Sequence, residues 1–276
     1  MRRGPITIGV VQLKRLSGWE DSLGRAVSLI EKTYDVLSQA DIVLFSENWL
    51  TRRPLSVDII YRVADTLSKL LHRYSIGIHY INDNNKIKSI GYLVEGNRII
   101  KICEKIFPSL AVSERGHVEG GSYHGPFTVR GWKIGCIACV DIFYPEVSRL
   151  HTLEGADILY NPASIPANRV DLWHSVLRTR AAENTVYSVG VNGTGFQYPD
   201  GRVTAGGSAV FAPDGTVAGK CGSGECVSLF TLTTDKIFSA RSRWAFYDDL
   251  SMKLRGFYSI LQSEISIIQE HAYNTD

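Results

Sequence analysis

Short apolar runs alternate with amphipathic stretches along the whole chain. Residues 6–13, ITIGVVQL, predict a strand. Over 21–39, Leu23, Ala26, Val27, Leu29, Ile30 and Tyr34 recur at helical spacing and predict an amphipathic helix. The run DIVLFSE (41–47) is apolar without alternation, as expected of a strand covered on both faces. A second helix is predicted over about 56–74, followed by three strand-like runs, IGIHYI, IGYLVEG and RIIKICEKIF. WKIGCIACV (132–140) predicts another buried strand, and DILYNPAS (157–164) a further one whose proline marks the exit. A helix over 171–184 and the strand TVYSVGVNG come next. GGSAVFAPDGTVAGKC reads as a hairpin because Pro-Asp-Gly is a strong turn signal. CVSLFTLT is the last strand, and a charged, weakly amphipathic helix covers about 245–270. Strands alternating with helices give an α/β class with helix-covered sheets.

Composition narrows the functional classes. The 276 residues are 44% hydrophobic and 21% charged, enough to bury a large core. A net charge of +2, from 30 basic and 28 acidic residues, gives no general attraction to nucleic acid or to a membrane surface. The opening MRRGPITIGVVQL has too short an apolar run to span a bilayer and no small-residue cleavage site, so nothing suggests export. Five cysteines without a dense framework fit a reducing, cytoplasmic setting, where the sequon at Asn192 has no role.

Chemistry concentrates where strands end. IVLF runs into Ser46-Glu47, RIIKIC into Glu104-Lys105, and KIGCIA into Cys139 with Asp141 just beyond. Ligands of α/β folds bind outside the carboxyl ends of strands. A thiol, a carboxylate and an ammonium there form a coherent set: nucleophile, base and a positive charge for a developing oxyanion. Cys136 and Cys139 also raise a CxxC reading, with Cys221 and Cys226 as further metal ligands. Side chains three apart on a strand point to opposite faces, which opposes a shared ligand and makes Cys136 a core residue. Pro145-Glu146 starts a helix beyond Cys139, and backbone N–H groups there favour a lowered thiol pKa. Glu104 is expected to be exposed, Arg180–Glu183 to be a structural ion pair, and Trp173 to be core or interface rather than a binding wall. The seven histidines show no metal-binding spacing.

Glu47 in ADIVLFSE, Lys105 in EKIFP and Cys139 in CVDIFYPE resemble the Glu-Lys-Cys signature of the nitrilase superfamily, the carbon–nitrogen hydrolases. SERGHVEGG puts Glu114 where that family carries a second active-site glutamate. ADILYNPAS, WHSVLRTRAAENTVYSVGVNGTG and GGSAVFAPDGTV match further pieces in order, from about residue 5 to about 232. The chain departs from the family at Ser46 (usually Pro), at Glu104 (commonly Arg), at Ile106-Phe107 and at Val140. The resemblance implies a four-layer α-β-β-α sandwich, usually a homodimer or larger. It also implies a single hydrolase domain over 1–276, with 245–276 a helical extension used in oligomerisation. The extension's Leu250, Met252, Leu254, Phe257, Tyr258, Ile260 and Leu261 are expected to pack across that interface.

The reaction implied is hydrolysis of a non-peptide C–N bond in a small amide through a thioester, without metal or organic cofactor. Glu47 is the base, Cys139 the nucleophile, Lys105 and the Val140 backbone N–H the oxyanion donors, and Glu114 an orienting group. Cys-Val-Asp-Ile after the nucleophile is closer to the amidase and carbamoyl branches than to the nitrile-cleaving pattern. An N-carbamoyl substrate and a non-catalytic scaffold that kept the fold remain the alternatives. A substrate carboxylate would call for a pocket arginine, with Arg52, Arg53 and Arg115 the candidates.

Overall fold

The computed structural model describes residues 3–273. In chain order the first half holds β1 (Ile6–Gln12), α1 (Trp19–Lys32), α2 (Tyr34–Leu37), β2 (Ile42–Phe45), α3 (Val57–Ser68), β3 (Arg73–Asp83), β4 (Lys86–Glu95) and β5 (Arg98–Glu104). The second half holds β6 (Phe127–Val129), β7 (Trp132–Cys136), α4 (Pro145–Leu153), β8 (Ile158–Ala163), α5 (Val170–Asn184), β9 (Tyr187–Asn192), β10 (Thr194–Gln197) and β11 (Val203–Ala205). It continues with β12 (Ala209–Phe211), β13 (Val217–Lys220), β14 (Cys226–Leu232), α6 (Thr234–Arg243) and α7 (Phe246–Tyr273).

The strands make two six-stranded sheets, ordered β14-β1-β2-β3-β4-β5 and β13-β12-β9-β8-β7-β6, plus the ribbon β10–β11. Both centres are parallel (β1–β2–β3 and β7–β8–β9) with antiparallel flanks. Ile8, Val10 and Ile78 of the first sheet meet Trp132, Ile134 and Val189 of the second in one apolar layer. A second layer joins the first sheet to α1 and α3 through Ile30, Phe45 and Val63. A third joins the second sheet to α5 through Leu159, Trp173 and Leu177. The architecture is therefore helix, sheet, sheet, helix. Central strands carry continuous apolar runs because each is covered on both faces.

Several boundaries differ from the sequence reading. The first helix breaks at Thr33, whose hydroxyl donates to the Leu29 carbonyl at 2.8 Å while its backbone leaves helical geometry (φ −118°, ψ 20°). The second ends at Ser68, and Tyr74 belongs to β3, opposite Val43 and Val94. β8 continues through Pro162 to Ala163. Its β7 side is paired only as far as Tyr160, so the missing Pro162 N–H leaves no ladder bond unmade there. β7 stops at Cys136, and residues 139–143 form a 3-10 turn. Cys221 and Cys226 are joined as a disulfide where the chain passes from β13 to β14, so they are not free thiols. Cysteine usage thus no longer supports a reducing compartment. No described helix is long and apolar enough to cross a membrane. Along α7, Met252, Phe257, Tyr258 and Ile260 are exposed; the side chain of Leu261 lies outside the described residues.

Candidate active site

Glu47 lies two residues past β2, where the first sheet comes up against the second. Its backbone N–H donates to the Ala163 carbonyl at the end of β8, 3.2 Å away. Gly77 permits this crossing: it sits at φ +81°, and a Cβ there would lie 2.0 Å from the Ser46 carbonyl oxygen. Lys105 follows β5 directly and is tied by its N–H to the Ser89 carbonyl at 2.9 Å. Glu114 stands in the loop after β5, with its own N–H on the Ser109 carbonyl and its Oε2 accepting the Ser109 N–H at 2.6 Å.

Cys139 opens the 3-10 turn with φ +40°, a left-handed conformation that a non-glycine residue adopts only when its surroundings hold it. Those surroundings are specific. Asn161 Nδ2 donates to the carbonyls of Ile137 (2.7 Å) and Cys139 (3.0 Å), and Trp173 Nε1 fixes Asn161 through its Oδ1 at 2.8 Å. Arg180 donates to the carbonyls of Ile142 (2.9 Å) and Phe143 (3.2 Å) at the end of the turn, and also pairs with Glu183. Buried Asp141 accepts the N–H groups of Ile106 (2.8 Å) and Phe107 (3.0 Å), linking the turn to the segment after Lys105.

The four side chains predicted from sequence converge. Lys105 Nζ donates to Glu47 Oε1 at 2.8 Å and to Glu114 Oε1 at 2.7 Å. Tyr80 OH donates to the same Glu114 oxygen at 2.6 Å. The Cys139 thiol hydrogen-bonds to Glu47 and also meets the Ser164 backbone. Lys105 is 1% exposed, Glu114 3%, Glu47 5% and Cys139 8%, so water screens these charges little. Burial by itself disfavours the Lys105 ammonium, but Glu47 and Glu114 outweigh it and hold the amine well above its ordinary pKa. Burial raises Glu114, and Lys105 with the Tyr80 and Ser109 bonds reverses that and lowers it.

All four groups, with Val140, open into one cavity of about 280 Å³. Its remaining wall includes Asn48, Tyr80, Phe143, Ile165, Leu172 and Tyr198. That volume suits a small substrate.

A family model described as carbon-nitrogen hydrolase matches residues 7–241. The chain belongs to the carbon–nitrogen hydrolase family. It is 28% identical over 245 residues to 2-oxoglutaramate amidase of Bacillus subtilis, covering 85% of this chain and 93% of that protein. It is 31% identical over 225 residues to a hydrolase in the agr operon of Staphylococcus lugdunensis, covering 76% and 94%. A carbon–nitrogen hydrolase from Helicobacter pylori G27 superposes with a TM-score of 0.80 at 18% identity, covering 89% of this chain and 94% of that one, which establishes the shared fold. Helix α7 lies beyond the stretch matched to the carbon–nitrogen hydrolase model.

Four expectations need correction within this hydrolase frame. The Cys139 thiol is pushed well up, not down: burial and the Glu47 charge dominate, and Lys105 with the Ser164 backbone offsets them only in part. The helix start at Pro145 lies beyond the intervening 3-10 turn, too far to prevail. Glu104 is buried, receiving Lys101 Nζ at 2.6 Å and the Ser122 N–H at 3.0 Å. Cys136 is a core residue as expected, but strand alternation is not the reason. β7 ends there, and its sulfur faces Cys103 at 2.9 Å. Of the proposed pocket arginines only Arg52 lines the cavity; Arg53 and Arg115 do not, whereas Arg169 and Arg202 do. Tyr80, Tyr198 and these two arginines were missed because they sit on ordinary strand and loop positions with no motif around them.

Proposed function

We propose that the protein is a cysteine-dependent amidase that converts a small amide to carboxylic acid and ammonia through a thioester. One observation carries the reading: a single ammonium, Lys105 Nζ, bridges Glu47 and Glu114 while Glu47 also holds the Cys139 thiol, and all four line one cavity. The resting thiol is neutral. When an amide carbonyl is seated above it, Glu47 takes the thiol proton as sulfur attacks carbon. Lys105 and the Val140 N–H stabilise the oxyanion. Glu47 then hands its proton to the departing ammonia, and the C–N bond breaks. Glu47 next removes a proton from water as the water attacks the thioester, and the thiol is regenerated. Glu114 keeps Lys105 charged and aimed without touching the substrate.

Ammonia release from a panel of short linear amides tests this. The parent protein should turn over at least one amide, and Cys139→Ala none. Ammonia release by Cys139→Ala at the parental rate would overturn the reading.

A further inference from the structure

Tyr80 is placed by the same segments that carry the catalytic groups. It lies in β3 opposite Ser89 of β4, whose carbonyl holds the Lys105 N–H at 2.9 Å. Its own N–H donates to Asn48 Oδ1 at 3.3 Å, on the residue after Glu47, and its carbonyl accepts the Leu55 N–H at 2.8 Å. The residue is 6% exposed, and its OH donates to Glu114 Oε1 at 2.6 Å. Burial, and after it the charge of Glu47, pushes the phenol pKa well up, with Lys105 offsetting them only in part. The hydroxyl therefore keeps its proton and stays a donor at any working pH.

The donors around the two glutamates are shared unequally. Glu47 receives Lys105 Nζ and the Cys139 thiol. Glu114 receives Lys105 Nζ and Tyr80 OH on Oε1, and the Ser109 N–H on Oε2. Each donor to a carboxylate favours its ionised form. Cys139 and Asp141 are the further titratable neighbours of Lys105 and Glu47, and Arg52, Arg169 and Arg202 line the same cavity.

We propose that Tyr80 is a positioning residue: its hydroxyl commits Glu114 to Lys105, so that Glu114 serves only to aim the ammonium and Glu47 is left to exchange protons with the thiol and with water. This rests on the amidase reading of the same site. Two carboxylates on one ammonium compete for it. A neutral donor attached to only one of them separates their roles without adding charge to the site.

Tyr80→Phe removes the hydroxyl and keeps the ring. For an amide that the parent hydrolyses, kcat should fall about tenfold with KM within about twofold. The acidic limb of kcat/KM against pH should move up by about one unit, because Glu114 takes its proton sooner. An unmoved limb would overturn the proposal while leaving the amidase reading intact. A second measurement needs no turnover. Glu114 is lowered in the fold, so its stability is present above the unfolded pKa and is lost as pH falls through the folded value. Tyr80→Phe brings the folded value closer to the unfolded one. The Tm gap between parent and variant should then be widest at about pH 7 and narrow as pH falls below about 4.3. In a Glu114→Gln background the cost of Tyr80→Phe should not vary with pH. A gap that stays constant down to about pH 3, or one that narrows equally in the Glu114→Gln background, would overturn the proposal. A gap that narrows only when Glu114 is present, in a protein that hydrolyses no amide, would support the hold of Tyr80 on Glu114 and count against the amidase reading.

Discussion

Replacing Lys105 by methionine converts a bridged network into two facing carboxylates. Nζ lies 2.8 Å from Glu47 Oε1 and 2.7 Å from Glu114 Oε1, so those oxygens are no more than about 5.5 Å apart. At an effective dielectric constant of about 20, two unit charges at that separation repel by about 3 kcal/mol, about two pKa units. One carboxyl of the variant should therefore hold its proton to higher pH than it does in the unfolded chain. The sign of the pH dependence then reverses. In the parent, Glu114 is lowered, so its contribution is present above the unfolded pKa and is lost as pH falls. In Lys105→Met, the raised carboxyl contributes below the unfolded pKa, and that stability is lost as pH rises through the raised value. For 276 residues the unfolding entropy is about 0.6 kcal/mol/K, so 3 kcal/mol corresponds to about 5 °C in Tm. Thermal unfolding of both proteins between about pH 4.5 and 7.5 is the assay. The variant should gain about 5 °C relative to the parent as pH falls through that window, and its amide turnover should be lower by about a hundredfold or more. A constant Tm offset across the window would refute the electrostatic account, and parental turnover would remove Lys105 from the chemistry.

Three further outcomes are expected. Cys136→Ser should retain most activity but lose roughly 1–3 kcal/mol of stability to a buried hydroxyl, seen as a Tm drop of about 2–5 °C; activity loss equal to that of Cys139→Ala would contradict the assignment. Iodoacetamide should label Cys139 with an apparent pKa above that of an ordinary thiol, and Glu47→Gln should lower this value while abolishing amide turnover, because Glu47 both repels the thiolate and binds the thiol; labelling in the parent at lower pH than a free thiol would refute this. The exposed Met252, Phe257, Tyr258 and Ile260 of α7 should be covered in a homodimer, so sedimentation as a monomer at micromolar concentration would count against that role for the helix.

The strands leading to Glu47, Lys105 and Cys139 were legible because each is a mainly apolar run that ends near a reactive side chain; β2 is buried throughout, whereas β5 and β7 are interrupted by the exposed Lys101 and Lys133. The turn at Cys139 was not. Ile137 and Ala138 are as apolar and as buried as the strand before them, although β7 ends at Cys136. The direction of the thiol shift was illegible for a similar cause. A nearby helix start is visible in the sequence, whereas burial and the approach of Glu47 from the other sheet are products of the assembled fold. Glu104 looked like a surface acid until Lys101 and the Ser122 backbone closed around it. Arg169 and Arg202 line the cavity from a 3-10 turn and from the loop between β10 and β11, segments too brief to leave a periodic signal.

The pairing of β1 with β14 sets the order in which the chain can mature as it leaves the ribosome. Every residue of β1 from Ile6 to Gln12 has its outer partner between Leu232 and Cys226. Between 214 and 226 positions separate those partners (Gln12 to Cys226 and Ile6 to Leu232), which at about 5–20 residues per second means a wait of roughly 11–45 s. During that interval the first sheet can assemble from β1 to β5, with an apolar strand lying open along one side and ready to pair with any other extended chain. The Cys221–Cys226 link spans the turn that delivers β14, so its two thiols emerge just as the missing strand does. Messages broken, or chains cleaved, before residue 226 would yield a first sheet that never loses its open side, and the cell would have to shield or degrade it.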